Sequence, residues 1–103
     1  MPLVFDQDPE KEAINIQRHG ISFSTAQEVF DDPNQVIMEN YWFTEEGEQR
    51  LQIIGVTRGL VLLLVVFVDR SDAENEVIRI ISARKADKFE EKIYAAHITN
   101  QNY

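Results

Sequence analysis

Three cations lie at the end of the most hydrophobic region of the chain, in the stretch IRIISARKAD that begins at residue 78. Side chains alternate along a strand, so Arg79 lies between apolar neighbours on one face, where an arginine is rarely buried without a partner. Arg79 therefore either pairs with a cross-strand glutamate or contributes to an anion site. Arg84 and Lys85 follow where the strand is predicted to end, and they are either solvated loop charges or further members of that site.

Two more side chains are candidates for the same chemistry. Arg50 lies on another predicted strand, on one face with Gln52, and the alternatives are a surface position or an ion pair with Glu48. His19 stands at the predicted C-terminus of a helix. It is a candidate general acid or base, and a C-terminal capping residue is the alternative.

The sequence lacks the motifs of several other catalytic classes. It has no cysteine, so thiolate metal sites and disulfides are excluded. The two histidines are too far apart for a metal-ligand motif, and no calcium loop, Gly-rich phosphate loop or nucleophile elbow is present. Glutamates at positions 45, 46, 48, 74 and 76 fall in predicted turns and are most simply solvated. We therefore expect neither a metal nor a cofactor.

The charge of the chain is acidic and unevenly distributed. The formal net charge is −8, and residues 1–50 carry eleven acidic and three basic side chains, whereas residues 51–103 carry seven of each. Phosphate attraction favours a basic surface, so the composition argues against broad nucleic-acid binding. A small local cationic site remains compatible, because five bases fall between Arg79 and Lys92.

The elements that must position these cations form one predicted domain spanning residues 1–103. Their predicted order is β-α-α-β-β-β-β-α. Short turns between the four later strands predict an antiparallel β-sheet meander, in an α+β fold with short helices packed on one face. The run LVLLLVVFV, residues 60–68, is apolar at both alternating positions, so this strand is placed at the sheet centre. Its second face is expected to need cover from a partner chain or a ligand groove.

Capping signals mark where the three helices begin. The predicted caps are Asp8 before Pro9, a capping box of Ser24 with Gln27, and a capping box of Asp87 with Glu90. Gly20 predicts the end of the first helix. The apolar residues expected to pack these helices are Ala13, Ile14 and Ile16 in the first and Phe89, Ile93, Tyr94 and Ala96 in the last.

Nothing in the sequence predicts membrane contact. The longest apolar run has nine residues, whereas a membrane helix needs about 20. The N-terminal segment MPLVFDQDPEKE lacks the pattern of a signal peptide. The absence of cysteine is compatible with a reducing compartment. We therefore expect a cytoplasmic location.

Three segments carry a family resemblance: FDQDPEKEAINIQRHGISFSTAQEVFDDP from residue 5, EEGEQRLQIIGVT from residue 45, and IRIISARKAD. In order and spacing they resemble the BrnT family of type II toxins over nearly the whole chain, from Phe5 to about Tyr94. The strings RHGISF, FDDP and IISARKA are specific to this resemblance. Gln7 departs from it, since the family commonly has Trp there, and so does the acidic total.

The resemblance implies a fold similar to RelE-type ribonucleases and metal-independent cleavage of RNA that inhibits translation. It also implies that a BrnA-like antitoxin neutralises the protein by forming a hetero-oligomer with it. Only the antitoxin would then contact operator DNA. RelE-like toxins align the RNA 2′-hydroxyl against the adjacent phosphate and stabilise the extra negative charge with Arg and Lys. By this resemblance the expected catalytic residues are Arg84, Lys85, Arg50 and His19, and the expected RNA-binding residues are Arg79, Arg58 and Lys11.

A second function stays open beside the toxin. The net charge and Gln7 favour a non-catalytic toxin-like binding subunit that pairs with an antitoxin and modulates transcription.

Overall fold

The computed structural model describes residues 3–101, and the side chains of all of these except residues 40–42 and 101. The strands are β1 (Leu3–Phe5), β2 (Val36–Phe43), β3 (Gln49–Val56), β4 (Leu62–Asp69) and β5 (Glu76–Lys85). The helices are α1 (Pro9–His19), α2 (Phe23–Gln27) and α3 (Lys88–Gln101), with a 3₁₀ turn at Glu28–Asp31. The predicted order of elements is thus confirmed, although β5 extends through Arg84 and Lys85, which belong to the strand and not to a loop.

The strands form one sheet in the order β1-β5-β4-β3-β2, with β4 at its centre as predicted. Strands β2 to β5 make the expected antiparallel meander. The prediction of a purely antiparallel sheet is wrong, because β1 pairs parallel to β5, with Leu3 opposite Glu76 and Phe5 opposite Ile78. The meander begins at the far edge of the sheet, so its last strand returns beside β1 and runs in the same direction.

Both faces of the sheet carry helices, so the prediction that helices cover one face is wrong. On the first face Phe23, Ala26 and Val29 pack against strand residues that include Ile53 and Ile80. On the second face Tyr94 of α3 packs against Ile54 and Leu64. The physical reason is the double-sided apolar pattern of β4, which makes burial of both faces favourable. Helix α3 covers only one end of the second face.

Helix α1 lies against the sheet edge through a buried polar side chain. Asn15 Nδ2 donates to the carbonyls of Ile21 and Ala83 at 2.9 Å each, and Ala83 N donates to Asn15 Oδ1 at 2.9 Å. Strand β1 pairs only with residues 76–78 of β5, so Asn15 takes the hydrogen-bond positions that a longer edge strand would occupy. The prediction that apolar residues bury α1 is wrong: its one buried residue is Asn15, and Ile14 and Ile16 are exposed.

The ends of the helices follow the capping rules, with one shift. Asp8 caps α1 through Glu10 N at 2.9 Å, and Gly20 ends it with a left-handed φ of 71°. Helix α2 is capped by Ser22 and not by Ser24, because the fully buried Phe23 already belongs to the helix. The capping box of Asp87 with Glu90 is confirmed.

In α3, Ile93 and Tyr94 pack against the sheet as predicted. Phe89 is 71% exposed and Ala96 is also exposed, contrary to their predicted packing. Both lie on the part of the helix surface that turns away from the sheet. Within the described residues no helix has the length and apolar character needed to cross a membrane.

A buried carboxylate holds α3 to the first half of the chain. Asp32 accepts hydrogen bonds from Val56 N at 2.9 Å, Asn34 N at 2.8 Å and the Tyr94 hydroxyl at 2.6 Å. Burial by itself would raise the pKa of Asp32, but these hydrogen bonds outweigh it and lower the pKa. Burial and the hydrogen bond to Asp32 raise the pKa of Tyr94 to about 12. These hydrogen bonds of Asp32 fix the position of α3 on the second sheet face. The other end of that face is left uncovered by the helix.

Candidate anion-binding site

Two arginines flank a buried valine on the open end of the second sheet face. Arg50 of β3 and Arg79 of β5 both lie opposite Val68 of β4, so β4 separates the two strands. Cross-strand partners share a face, and two strand spacings put the two Cα atoms about 10 Å apart. Val68 is only 1% exposed, because the two long side chains and their neighbours cover it.

These arginines line a depression of about 440 Å³. Four cations contribute to its wall: Lys11, Arg50, Arg70 and Arg79. Four carboxylates stand around them: Asp8, Glu45, Glu46 and Glu48. Because the charges balance in number, the ability of this site to bind an anion depends on which cations are already paired.

Arg70 is the most fully paired of the four cations. Its Nε and Nη2 donate to the two oxygens of Glu48 at 2.9 and 2.8 Å, and its Nη1 lies 3.4 Å from Asp6. The hydrogen bond to Glu48 is the main reason why the pKa of Arg70 is raised. The predicted alternative of a Glu48–Arg50 pair is therefore wrong, because Glu48 is bound to Arg70 instead.

Arg50 and Arg79 keep donors available. Within the described residues Arg50 makes no ion pair, and the one carboxylate near Arg79 is that of Asp8, with Oδ2 at 3.7 Å from Nη2. This partner is the cap of α1, and the predicted cross-strand glutamate is not found. The Nε atoms of Arg50 and Arg79 are both buried and have no hydrogen-bond partner in the described structure. A buried donor without a partner costs about 1–3 kcal/mol, and the outer guanidinium nitrogens are the donors that an anion in the depression would meet.

A second depression, of about 280 Å³, adjoins the first between α1 and β5. The two share Lys11 and Ile81 in their walls. The rest of the second wall includes Ile14, Arg18 and His19. The structure thus brings together four of the predicted site residues along one continuous surface: Lys11, His19, Arg50 and Arg79.

The other three predicted site residues lie elsewhere. Arg84 and Lys85 pair with Leu64 and Leu63, near the opposite end of β4 from Val68. Four residues along a strand span about 13 Å, so the expected convergence of Arg84 with Arg50 is not found. Arg58 lies in the turn after β3, where its guanidinium is 3.9 Å from Asp31.

Arg84 is paired with a buried carboxylate. Its Nη1 and Nη2 each donate to Glu90 at 2.8 Å, and Glu90 is only 7% exposed. The hydrogen bond to Glu90 is the main cause of the raised pKa of Arg84. Lys85 is exposed, and its strand partner Leu63 belongs to the first face. Arg84 therefore anchors the start of α3, on the face opposite to Lys85.

Sequence reasoning missed Arg70, Arg18 and the carboxylate rim. A signal for Arg70 existed, since it directly follows β4 at the same sheet end as Arg50 and Arg79. The predicted antiparallel meander already places the end of β4 beside the start of β3, but the pairing of Arg70 with Glu48 depends on the register. Among the described residues there is no cluster of three or more His, Asp or Glu side chains that could hold a metal ion.

The comparison with known proteins agrees with the resemblance read from the sequence. A family model described as "Ribonuclease toxin, BrnT, of type II toxin-antitoxin system" matches residues 7–90. No curated protein matches the chain. The crystal structure of the Brucella abortus ribonuclease toxin BrnT has the same fold, with a TM-score of 0.58 and 22% identity over 84% of this chain and 100% of that chain. Because the family model spans most of the sequence, the chain belongs to the BrnT family of ribonuclease toxins of type II toxin–antitoxin systems.

Proposed function

We propose that this protein is a metal-independent endoribonuclease that cleaves RNA at the depression formed by Arg50, Arg79 and Lys11 and thereby inhibits translation. The observation that carries the proposal is the pair of arginines on either side of Val68: among the described residues Arg50 has no carboxylate partner, and Arg79 has one at 3.7 Å. Donors held in place before the substrate arrives are what a phosphate gaining charge requires. Arginine suits this role because its planar group binds phosphate oxygens in a bidentate manner.

The chemistry would follow the manner of RelE-like ribonucleases. The RNA 2′-oxygen attacks the adjacent phosphorus, the bond from phosphorus to the 5′-oxygen breaks, and the proton of the 2′-hydroxyl ends on the leaving oxygen by way of the site. Arg50 and Arg79 stabilise the additional negative charge of the pentacovalent phosphate, and Lys11 contacts a neighbouring phosphate. His19, in the adjoining depression, is the candidate acid, base or positioning group.

The sequence-based hypothesis that Arg84 and Lys85 contact the scissile phosphate is a weaker proposal for this chain. The two side chains lie on opposite sheet faces, and Arg84 is engaged by Glu90. Arg58 is likewise close to a carboxylate and far from Val68 along the sheet. We therefore assign the phosphate contacts to Arg50 and Arg79.

An antitoxin partner follows from membership of a type II family. We propose that this partner is BrnA-like, that the two proteins form a hetero-oligomer in the cytoplasm, and that operator DNA is contacted only through the antitoxin. The carboxylates around the depression are suited to contact basic side chains of such a partner, which would then compete with RNA for the same surface.

The test of the proposal is expression of the chain alone in bacteria, with growth and RNA integrity as readouts. Loss of one charge-stabilising donor typically costs a hundredfold or more in rate, so Arg50→Ala and Arg79→Ala should each remove growth inhibition. Lys92→Ala is the matched control, because Lys92 is an exposed cation on α3 outside both depressions. Cleavage by the purified protein should persist in excess EDTA. Unchanged toxicity of both arginine variants would contradict this assignment.

The second candidate function is the non-catalytic binding subunit. The specific observation in its favour is the rim of four carboxylates around the cations, together with the net charge of −8. Under this function the wild-type protein would leave growth and RNA intact, while a pull-down with the co-encoded antitoxin would still recover a complex.

A further inference from the structure

The depression between α1 and β5 is built differently from the cationic one beside it. Ile14 and Ile81 supply apolar side chains to its wall, and Lys11, Arg18 and His19 supply polar ones. Asn15 also contributes, but both ends of its amide are occupied by Ile21 and Ala83. The slot therefore combines an apolar pair with polar side chains.

A β-bulge places Ile81 where the two depressions meet. Val66 pairs with Ser82 and Phe67 pairs with Ile80, so Ile81 is the extra residue without a cross-strand partner. Bulges redirect side chains and are frequent beside active sites. The redirected side chain lines both depressions, so an occupant of either one would lie beside Ile81.

Ile14 is 48% exposed on a helix whose only buried residue is polar. The Ser82 hydroxyl also lines the slot, and it has no hydrogen-bond partner within the described residues. A slot with two apolar side chains and a hydroxyl, next to a site that contains Arg50 and Arg79, matches the chemistry of a nucleotide base. Bases are held between apolar side chains and are identified by hydrogen bonds to their edges.

We propose that the slot binds the base of the nucleotide adjoining the scissile phosphate, with Ile14 and Ile81 against its faces and the Ser82 hydroxyl at its edge. This inference rests on the proposed function, because the strand is held by Arg50 and Arg79. It adds a determinant of substrate choice, since a slot that contacts the base makes binding depend on more than the sugar–phosphate backbone.

The experiment measures fluorescence anisotropy of two non-cleavable probes of equal length: a 2′-O-methyl oligonucleotide and its abasic counterpart. Wild type should bind the base-bearing probe several-fold more tightly than the abasic probe. Ile14→Ala should remove most of this preference and leave affinity for the abasic probe unchanged. Ile16→Ala is the matched control, because Ile16 lies on the same helix, is 47% exposed and lines neither depression.

The outcomes separate the two proposals. If Ile14→Ala binds both probes like wild type while Arg50→Ala weakens both, the base slot is refuted and the phosphate site stands. If Arg50→Ala leaves both affinities unchanged, or wild type binds neither probe, the proposed function fails and the slot fails with it. Equal loss from Ile14→Ala and Ile16→Ala would overturn the slot as well, because the effect would then belong to the helix in general.

Discussion

Arg84→Ala tests whether this arginine acts in the fold or in the chemistry. The substitution removes two hydrogen bonds of 2.8 Å to Glu90, whose carboxylate is only 7% exposed. Hydrogen bonds to charged groups contribute about 1.5–3 kcal/mol each. The Arg84 side chain is 39% exposed, so water replaces part of what is lost, and we expect a fall of about 2 kcal/mol in the free energy of unfolding. For a domain of this size that lowers Tm by roughly 10 °C.

The assay is a double-mutant cycle followed by urea and thermal unfolding. Glu90→Gln keeps the capping box, because its amide oxygen still accepts the hydrogen bond from Asp87 N. In that background Arg84→Ala should cost clearly less, which gives a coupling energy of about 1–2 kcal/mol. Lys85→Ala is the control and should stay within about 0.5 kcal/mol of wild type. If Arg84→Ala proves as stable as Lys85→Ala and still abolishes toxicity, the structural role is refuted and the sequence-based catalytic role is restored.

Three further predictions concern the groups that position the site. The pKa of Tyr94 is about 12 in the folded protein and 10 in the unfolded chain. The protonated Tyr94 hydroxyl therefore makes its full contribution to the free energy of unfolding below pH 10, and this contribution is lost as the pH rises to 12. This loss is up to roughly 3 kcal/mol, and pH-dependent urea unfolding should show it in wild type and not in Tyr94→Phe. Gly55→Ala should destabilise by about 1–3 kcal/mol, because the new Cβ would lie 2.7 Å from Val29 Cγ1; a Tm equal to that of wild type would contradict the close contact. Asn15→Ala should cost about 2–3 kcal/mol and increase amide exchange at Ala83, and unchanged exchange there would show that Asn15 does not hold α1 to β5.

The sequence predicted the elements well because their signals are local. The cap at Asp8, the stop at Gly20 and the apolar run of β4 depend only on neighbouring residues, and all three are confirmed. The parallel pairing of β1 could not be predicted from the sequence. It joins Leu3 to Glu76, which are far apart in the chain, and it leaves no local pattern. The buried face of α1 was misjudged for a related reason: Asn15 is favourable there only because Ala83 offers an unpaired strand edge.

The candidate site was predicted in its residue types and only partly in its positions. Strand alternation predicted apolar neighbours for Arg79, of which Ile81 lines the same depression beside mostly charged side chains. Arg50 was identified as a cation on another strand. Which cations share a sheet end depends on register, and register places Arg50 and Arg79 on either side of Val68 while Arg84 lies four pairs away. Because Arg84 and Lys85 are adjacent in sequence, they were expected to form one cluster, but the strand places them on opposite faces of the sheet.

An acidic chain can hold an anion site because net charge and local donors act over different distances. The Debye length at physiological ionic strength is about 8 Å, so most carboxylates of the N-terminal half have little influence between two arginines whose Cα atoms lie about 10 Å apart. The nearby carboxylates are partly used: Glu48 is bound to Arg70, and Asp8 caps α1 while it touches Arg79. What remains unsatisfied is the pair of buried Nε donors of Arg50 and Arg79. Under the proposed function, a phosphate in the depression is held by the guanidinium groups of these two arginines and not by the net charge of the chain.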